Sequence, residues 1–432
     1  MSAVTGPSIF EKFTITSRDG SKEVDIRGGV IDFQYFEDLF SPTTTAIVQV
    51  ANTGNTIDDQ GLYHGLPIRS GERVNFKIKT PVDAAIGVES TFDYVMYVDK
   101  VTNYVSDRQF EGFVLHLVSR EAITNSQVRV TRKYVNQTID KSLQQIISLL
   151  DPLQVVQFEK CENDYPFIGN LRKPFTVAMM LAKKAIPVGS KSSSSGFFFW
   201  QTKNGFNFKS IDGLIKNAVD KKSTAQRYIY KQTMEDGYAN PAGNAVRIID
   251  FKSNKNNDLT ESLEKGEYSS YRMYFNPLTF EFTQPQDAIF KPKDDVRLGH
   301  KEEMPAVADP ENIPMNYMAP RILTGVYNVG TLDVGVSTAT NYNPFNDVAQ
   351  GSARYSKFFT YDYNILVPCN TNLTAGDPVY LEIPKTTTQS AEYDSEQSGL
   401  YIIKEITHKF YTNKSYTSMR VVRDTFGTNG QK

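Results

Sequence analysis

The chain has 432 residues, 40% of them hydrophobic and 22% charged, with a mean hydropathy of -0.40. This length exceeds one ordinary core and predicts two or three domains, and the composition excludes a disordered chain. A net charge of -2, from 47 basic and 49 acidic residues, gives no bulk electrostatic drive towards nucleic acid or an anionic membrane.

The first 125 residues read as strands and turns. Glu11 to Ile15 alternates, Arg18-Asp19-Gly20-Ser21 turns, and Val24 and Ile26 resume the alternation before Gly28-Gly29. Thr43 to Val50 is a β-branched run. Val74, Phe76 and Ile78 alternate with Arg73, Asn75, Lys77 and Lys79, the pattern of a half-buried strand. Phe92 to Val101 and Phe110 to Val118 complete about six strands, enough for a small barrel or sandwich.

The period then changes. Ile139, Leu143, Ile146, Ile147 and Leu150 form one helical stripe, with Thr138 as N-cap and Pro152 as its stop. A second helix opens on Pro174 and runs to Ile186, where Pro187 ends it. Gly189 to Gly196, with four consecutive serines, reads as a flexible loop tip. Phe197-Phe198-Phe199-Trp200 and Phe206-Asn207-Phe208 flank Asn204-Gly205, which predicts a hairpin with a two-residue type I′ turn. Strand character returns from Tyr228 to Phe282, clearest at Val246 to Ile249 and Phe280 to Phe282. Gln284 to Tyr355 is rich in Pro, Asn and Asp and weakly periodic, a length at which loops are usually functional.

Self-similarity decides the expected architecture. Gly71-Glu72-Arg73-Val74-Asn75-Phe76-Lys77-Ile78 matches Gly376-Asp377-Pro378-Val379-Tyr380-Leu381-Glu382-Ile383, at an offset of 305 residues. Val98 to Asn103 matches Ile403 to His408 at the same offset. Val118 to Glu121 matches Val421 to Asp424 with the offset shortened by two. Three ordered matches predict two copies of one β-domain. Three subunits carrying two copies each would present six similar surfaces and could join a threefold partner to a sixfold one.

These features resemble the baseplate central hub of T-even-like contractile-tailed bacteriophages, whose members hold two related antiparallel β-barrel tube domains around a helical insertion. The likeness is most specific at Asn372 to Val379, Ser398 to Ile403, Ile406-Thr407-His408 and Tyr416 to Arg423. Phe199-Trp200-Gln201 with Gly205 to Phe208 resembles the family's central hairpin, and Gly351 to Phe359 resembles the helix entering the second barrel. The resemblance implies a mainly β fold with a helical insertion. Residues 1–127 would form the first tube domain and 128–224 the helical and hairpin insertion. Residues 225–283 would give strands to the second tube domain, 284–355 an irregular insertion, and 356–432 the remainder. It also implies a homotrimer forming a pseudo-hexameric ring, bound to a trimeric central spike, to the tail tube or tube-initiator protein, and to surrounding baseplate proteins. Genome DNA would pass through the lumen without specific binding. The protein would belong to the virion tail and be assembled in the host bacterial cytoplasm.

Chemistry finds little foothold. His64 lies in a turn, His116 in a strand facing its polar side, His300 in the irregular segment, and His408 at a strand end. HExxH, Cys-x-x-Cys and Gly-x-Ser-x-Gly patterns do not occur. Cys161 and Cys369 read as reduced structural residues. No run approaches 18 apolar residues, so no transmembrane helix is expected, and Met1 to Phe10 shows no secretory signal. The expectation is therefore a non-enzymatic structural protein with no catalytic, cofactor-binding or metal residues, no cofactor and no membrane partner. Two rivals are a tail-associated glycan-binding or cell-wall-hydrolysing protein, marked by two convergent carboxylates in a cleft, and the hub of a tailocin or other contractile injection system.

Overall fold

A computed structural model of the chain describes residues 6–54, 56–57, 59–80, 91–153, 156–189, 196–230, 244–254, 258–282, 288–293, 296–300, 305, 319–329, 332, 340–385 and 393–427. The serine run and parts of 284–355 lie outside these residues.

Alternating inward and outward side chains build the strands of the first part: β1 (Ile9–Thr16), β2 (Val30–Asp38), β3 (Thr45–Asn52), β4 (Arg73–Lys79), β5 (Thr91–Asp107) and β6 (Phe110–Val118). In β4 the inward set is Val74, Phe76 and Ile78, all buried, while Arg73, Asn75 and Lys77 face the other way. Strand β2 escaped the pattern reading because Ile31 and Phe36, on its outward face, interrupt the alternation set by Phe33, Tyr35 and Glu37.

The middle of the chain carries α1 (Ile139–Ser148), α2 (Pro174–Ala182), the hairpin strands β7 (Phe197–Thr202) and β8 (Gly205–Ser210), and α3 (Ile211–Asp220). Helix α1 buries the predicted stripe Ile139, Leu143, Ile146 and Ile147. Helix α2 starts on Pro174 but stops at Ala182, short of Ile186. The hairpin forms as expected, with a different turn. Thr202 pairs with Gly205, so Lys203 and Asn204 occupy the corner. Only Gly205 has positive φ, at 120°, which rules out type I′.

Then follow β9 (Gln226–Ile229), β10 (Asp250–Ser253), β11 (Ser270–Asn276), β12 (Arg321–Val326), α4 (Pro344–Lys357), β13 (Tyr361–Pro368), β14 (Pro378–Glu382), β15 (Gly399–Tyr411) and β16 (Lys414–Arg423). Strand β11 lies outside the main sheet. It pairs in parallel with β12, inside the stretch expected to be irregular, and anchors a separate four-stranded sheet.

The main sheet has 13 strands, running β10-β13-β16-β15-β2-β3-β6-β5-β4-β1, with β9 and β14 continuing beside β15 and Glu23–Asp25 beside β1. The order contains the same five-strand unit twice: β4-β5-β6-β3-β2 and β14-β15-β16-β13-β10. The registers agree. Val74 faces Met96 as Val379 faces Tyr401, and Val98 faces Leu117 as Ile403 faces Val421. Both copies carry a bulge at the same place, between Val98 and Lys100 and between Ile403 and Glu405. Gly71 N donates to Val98 O at 2.7 Å and Val98 N to Glu72 O at 2.9 Å. In the second copy Gly376 N donates to Ile403 O at 2.8 Å and Ile403 N to Asp377 O at 3.0 Å. Both glycines have positive φ, 97° and 92°, which a turn opening a strand here requires.

One expected alignment moves by a residue. Val421 corresponds to Leu117 and not to Val118, because the bulk that must share a face is the buried pair Leu117 and Val421. Neither half closes through a full ladder among the described residues. Each comes round by backbone bonds only, Ile26 N to Phe13 O and Ile248 N to Ile229 O, both 2.9 Å. The two barrels expected from sequence are thus two curled parts of one sheet.

Three apolar cores result. One lies within the first unit around Phe13, Phe33 and Leu115. Another lies within the second around Val379, Ile402 and Met419, and a third around α1 and α2. Strand β7 serves two of them by its period of two. Phe197 and Phe199 enter the third core, and Phe198 and Trp200 the second. A strand that enters an apolar core on each face needs apolar side chains at consecutive positions, which explains the Phe-Phe-Phe-Trp run.

Candidate functional site

The strongest concentration of chemistry outside these cores is the joint between the halves, where β2 pairs antiparallel with β15 from Asp38–Glu405 to Asp32–Tyr411. Glu37 is inward on β2 and 2% exposed. Its carboxylate accepts from Lys203 N at 2.7 Å, Ala375 N at 2.9 Å and Tyr35 Oη at 3.0 Å. Burial pushes this carboxyl up to about 7, against the pull of those donors and of the Lys203 charge. Lys203, at the hairpin corner, donates its Nζ to the carbonyl of Thr371. His408 on β15 is wholly buried, with Nδ1 3.0 Å from Thr417 Oγ1. Burial, reinforced by Lys203, lowers it to about 3, so it is neutral. Beside them Gln201 donates to Glu121 at 3.0 Å and accepts from Thr44 N at 3.3 Å, and Trp200 Nε1 donates to Ala375 O at 3.0 Å. The hairpin therefore pins first half, second half and insertion to one another. An acid and a base sealed this deeply hold structure, since no substrate reaches either.

On the outward face a chain of charges crosses the same joint. Asp38 pairs with Lys404 at 3.2 Å, Lys404 with Glu405, Glu405 with Arg420 at 3.3 Å, and Arg420 with Asp362 at 2.6 Å. Lys404 sits 5.0 Å over Phe40 and Arg420 5.9 Å over Phe359. The first copy has Asp99, Lys100, His116 and Thr45 at the places of Lys404, Glu405, Arg420 and Asp362.

The four histidines do not converge. His64 and His300 are exposed, and His116 meets Thr102 Oγ1 at 2.9 Å on the outer face. Two carboxyls are raised by burial and lie apart: Glu37 at the joint, and Asp212, which holds Arg354 at 2.9 Å. A polar cleft of about 560 Å³ has acidic walls, yet its Asp362 is held by Arg420 and its Glu261 by Lys265 at 2.6 Å. Among the described residues no three His, Cys, Asp or Glu side chains converge as metal ligands, and no helix is long and apolar enough to cross a membrane. Both cysteines are buried.

Two surfaces stand out by what they leave exposed. The small sheet around β11 exposes Met273, Phe280, Phe282, Ile322 and Val326, with Phe280 79% exposed, an apolar grouping of the kind that marks interfaces. The second surface is a pair of sheet edges with no strand partner among the described residues, along Lys100–Asp107 of β5 and along β10.

Two solved structures share the fold. The 43 kDa tail protein of prophage MuSo2 from Shewanella oneidensis aligns over 97% of this chain and 100% of its own, with a TM-score of 0.52 at 12% identity. A tail protein from Neisseria meningitidis MC58 aligns over 96% and 97%, with a TM-score of 0.50 at 11% identity. The chain has the fold of phage tail proteins. No protein-family model and no curated protein matches it by sequence.

Sequence reading missed the joint. Its one visible signal is Glu37, an acid at an inward position of an alternating strand. Its partners Lys203 and Ala375 lie 166 and 338 residues away.

Proposed function

We propose that this chain is the central hub of a contractile-tail baseplate. On this reading it forms a homotrimer whose six related half-sheets make a pseudo-sixfold ring. One face would carry a trimeric central spike, the other would start the hexameric tail tube, and further baseplate proteins would surround it. Tube domains spanning 1–127 and, in the second half, parts of 225–283 with 356–432 supply the six lobes. Genome DNA would pass through the lumen unbound, in keeping with a net charge of -2. The protein would act without catalysis, in a virion assembled in the host bacterial cytoplasm.

One observation carries the reading. A single chain holds two copies of one strand unit that agree in order, register, bulge and glycine turn, on a tail-protein fold. A duplicated unit is what a threefold assembly needs to meet a sixfold one. Electron microscopy of the purified chain, alone and with its spike, tests it. Threefold rings with six similar lobes are expected; particles with three unlike lobes and no sixfold aspect would refute the adaptor role.

A further inference from the structure

The ring reading leaves open how one chain grips the next, and the duplication supplies the answer. Inside the chain the halves are joined by a strand pair: β15 pairs with β14 only over Gly399–Ile402, then leaves it and offers Glu405–Tyr411 to β2. In the first copy β5 does the same thing halfway. It pairs with β4 over Thr91–Tyr97, and beyond that point, among the described residues, the edge of Lys100–Asp107 facing away from β6 has no strand partner. The counterpart of β2 in the second copy is β10, the terminal strand of the sheet, which among the described residues pairs only with β13. The strand β10 and the far arm of β5 are thus the two halves of a junction that exists complete in the middle of the sheet.

We infer that β10 of one protomer pairs antiparallel with the Thr102–Asp107 edge of β5 in the next, repeating between chains the β2–β15 junction within each. This inference rests on the ring reading. Equivalent positions follow from the ladders. Phe33 reaches Leu115 through Val48, and Phe251 reaches Met419 through Ile365, so Phe33 corresponds to Phe251 and Asp32 to Asp250. Thr407 faces Ser418 as Thr102 faces Val114, and Lys409 faces Tyr416 as Val105 faces Gly112. One extra residue at Asn103, whose φ is 54°, is absorbed by a bulge in β5. The predicted register therefore puts Lys252 opposite Val105, Phe251 opposite Ser106 and Asn254 opposite Thr102. Asp250 would then face Asp107, with Arg108 and Lys252 adjacent to share the charge.

Exposure agrees with a missing partner. At the internal junction Phe410 is 1% exposed and Lys409 half-buried, whereas their counterparts on the bare arm, Ser106 and Val105, are exposed, Val105 at 59%. An unpaired edge of this length is a liability that a folded protein covers or blunts, and a second copy of this chain has the matching edge already shaped.

Cysteine crosslinking tests the register. Lys252→Cys with Val105→Cys in the full chain, whose native cysteines are both buried, should give covalent dimers and trimers on mild oxidation. Lys252→Cys with Lys12→Cys should not. A trimer by mass that fails to crosslink through the first pair, or crosslinks equally through both, overturns the edge pairing and leaves the ring standing. A chain that remains monomeric at every concentration, with or without spike, overturns the ring and this inference together.

Discussion

At Gly71 an added Cβ would come no nearer than 3.5 Å to Arg18, whereas at Gly376 it would lie 2.7 Å from Trp200. The two glycines occupy the same turn, with the same bonds and nearly the same φ, so the difference lies in what surrounds them. The second copy is enclosed by the insertion, with Phe198 and Trp200 driven into its core and a charge chain laid across its outer face. The first copy keeps the backbone plan but leaves His116, Lys100 and the β5 arm towards solvent. Register survives duplication because a one-residue slip would turn a whole strand inside out. Side chains beyond the ladder are free to diverge, and here they make one half the fixed seat and the other the open one.

The largest expected effect separates those glycines. Gly376→Val adds a clash with a buried indole to positive-φ strain and should cost about 3–5 kcal/mol, while Gly71→Val should cost about 1–3 kcal/mol. Thermal or urea unfolding of both variants checks this. Equal losses would mean that the hairpin does not distinguish the halves.

Next comes the buried acid and base at the joint. The Glu37 carboxyl, raised from 4.5 to about 7, favours the folded state in its protonated form. Its stabilisation is complete below about pH 4.5 and is lost as pH rises towards 7. His408, lowered from 6.5 to about 3, works the other way, its contribution present above pH 6.5 and lost as pH falls towards 3. Between pH 4.5 and 6.5 the two slopes oppose each other and stability should be nearly flat. Glu37→Gln should unmask a rise with pH, and His408→Gln a fall, each on the order of 2 kcal/mol across the window. Urea midpoints at four pH values measure it; variants with unchanged slopes would contradict the assignment.

A smaller effect should leave folding alone. Ser106→Pro on the exposed arm, where the ladder with β6 turns the N–H of Val105 and Asp107 inward and that of Ser106 outward, removes an edge donor and should weaken self-association about tenfold, while the melting temperature stays close to that of the native chain. The smallest is Arg420→Ala, which opens the outer charge chain at a partly exposed site and should cost roughly 0.5–1 kcal/mol. His116→Ala at the matching position should cost less. Reversal of that order would show the charge chain to be inert.

Much of this plan was legible in the sequence. The glycine-acid-valine repeat located both copies, and the aromatic runs on either side of Asn204-Gly205 located the hairpin. What stayed hidden depends on contacts between distant segments. Strand β2 was masked by Ile31 and Phe36, whose outward apolar side chains blur a period of two. The parallel pairing of β11 with β12 joins segments that a local pattern cannot associate. The Glu37 joint combines three stretches from opposite parts of the chain, and only the inward acid hinted at it. The one-residue error at Val421 arose because letters were matched where burial sets the register.

The central claim is that duplication serves a three-chain ring, and the mass of the purified protein by light scattering across a range of concentrations tests it most directly. The account predicts a species of about three times 48.7 kDa, formed alone or on addition of the spike. A chain of 48.7 kDa that stays single under both conditions would contradict it.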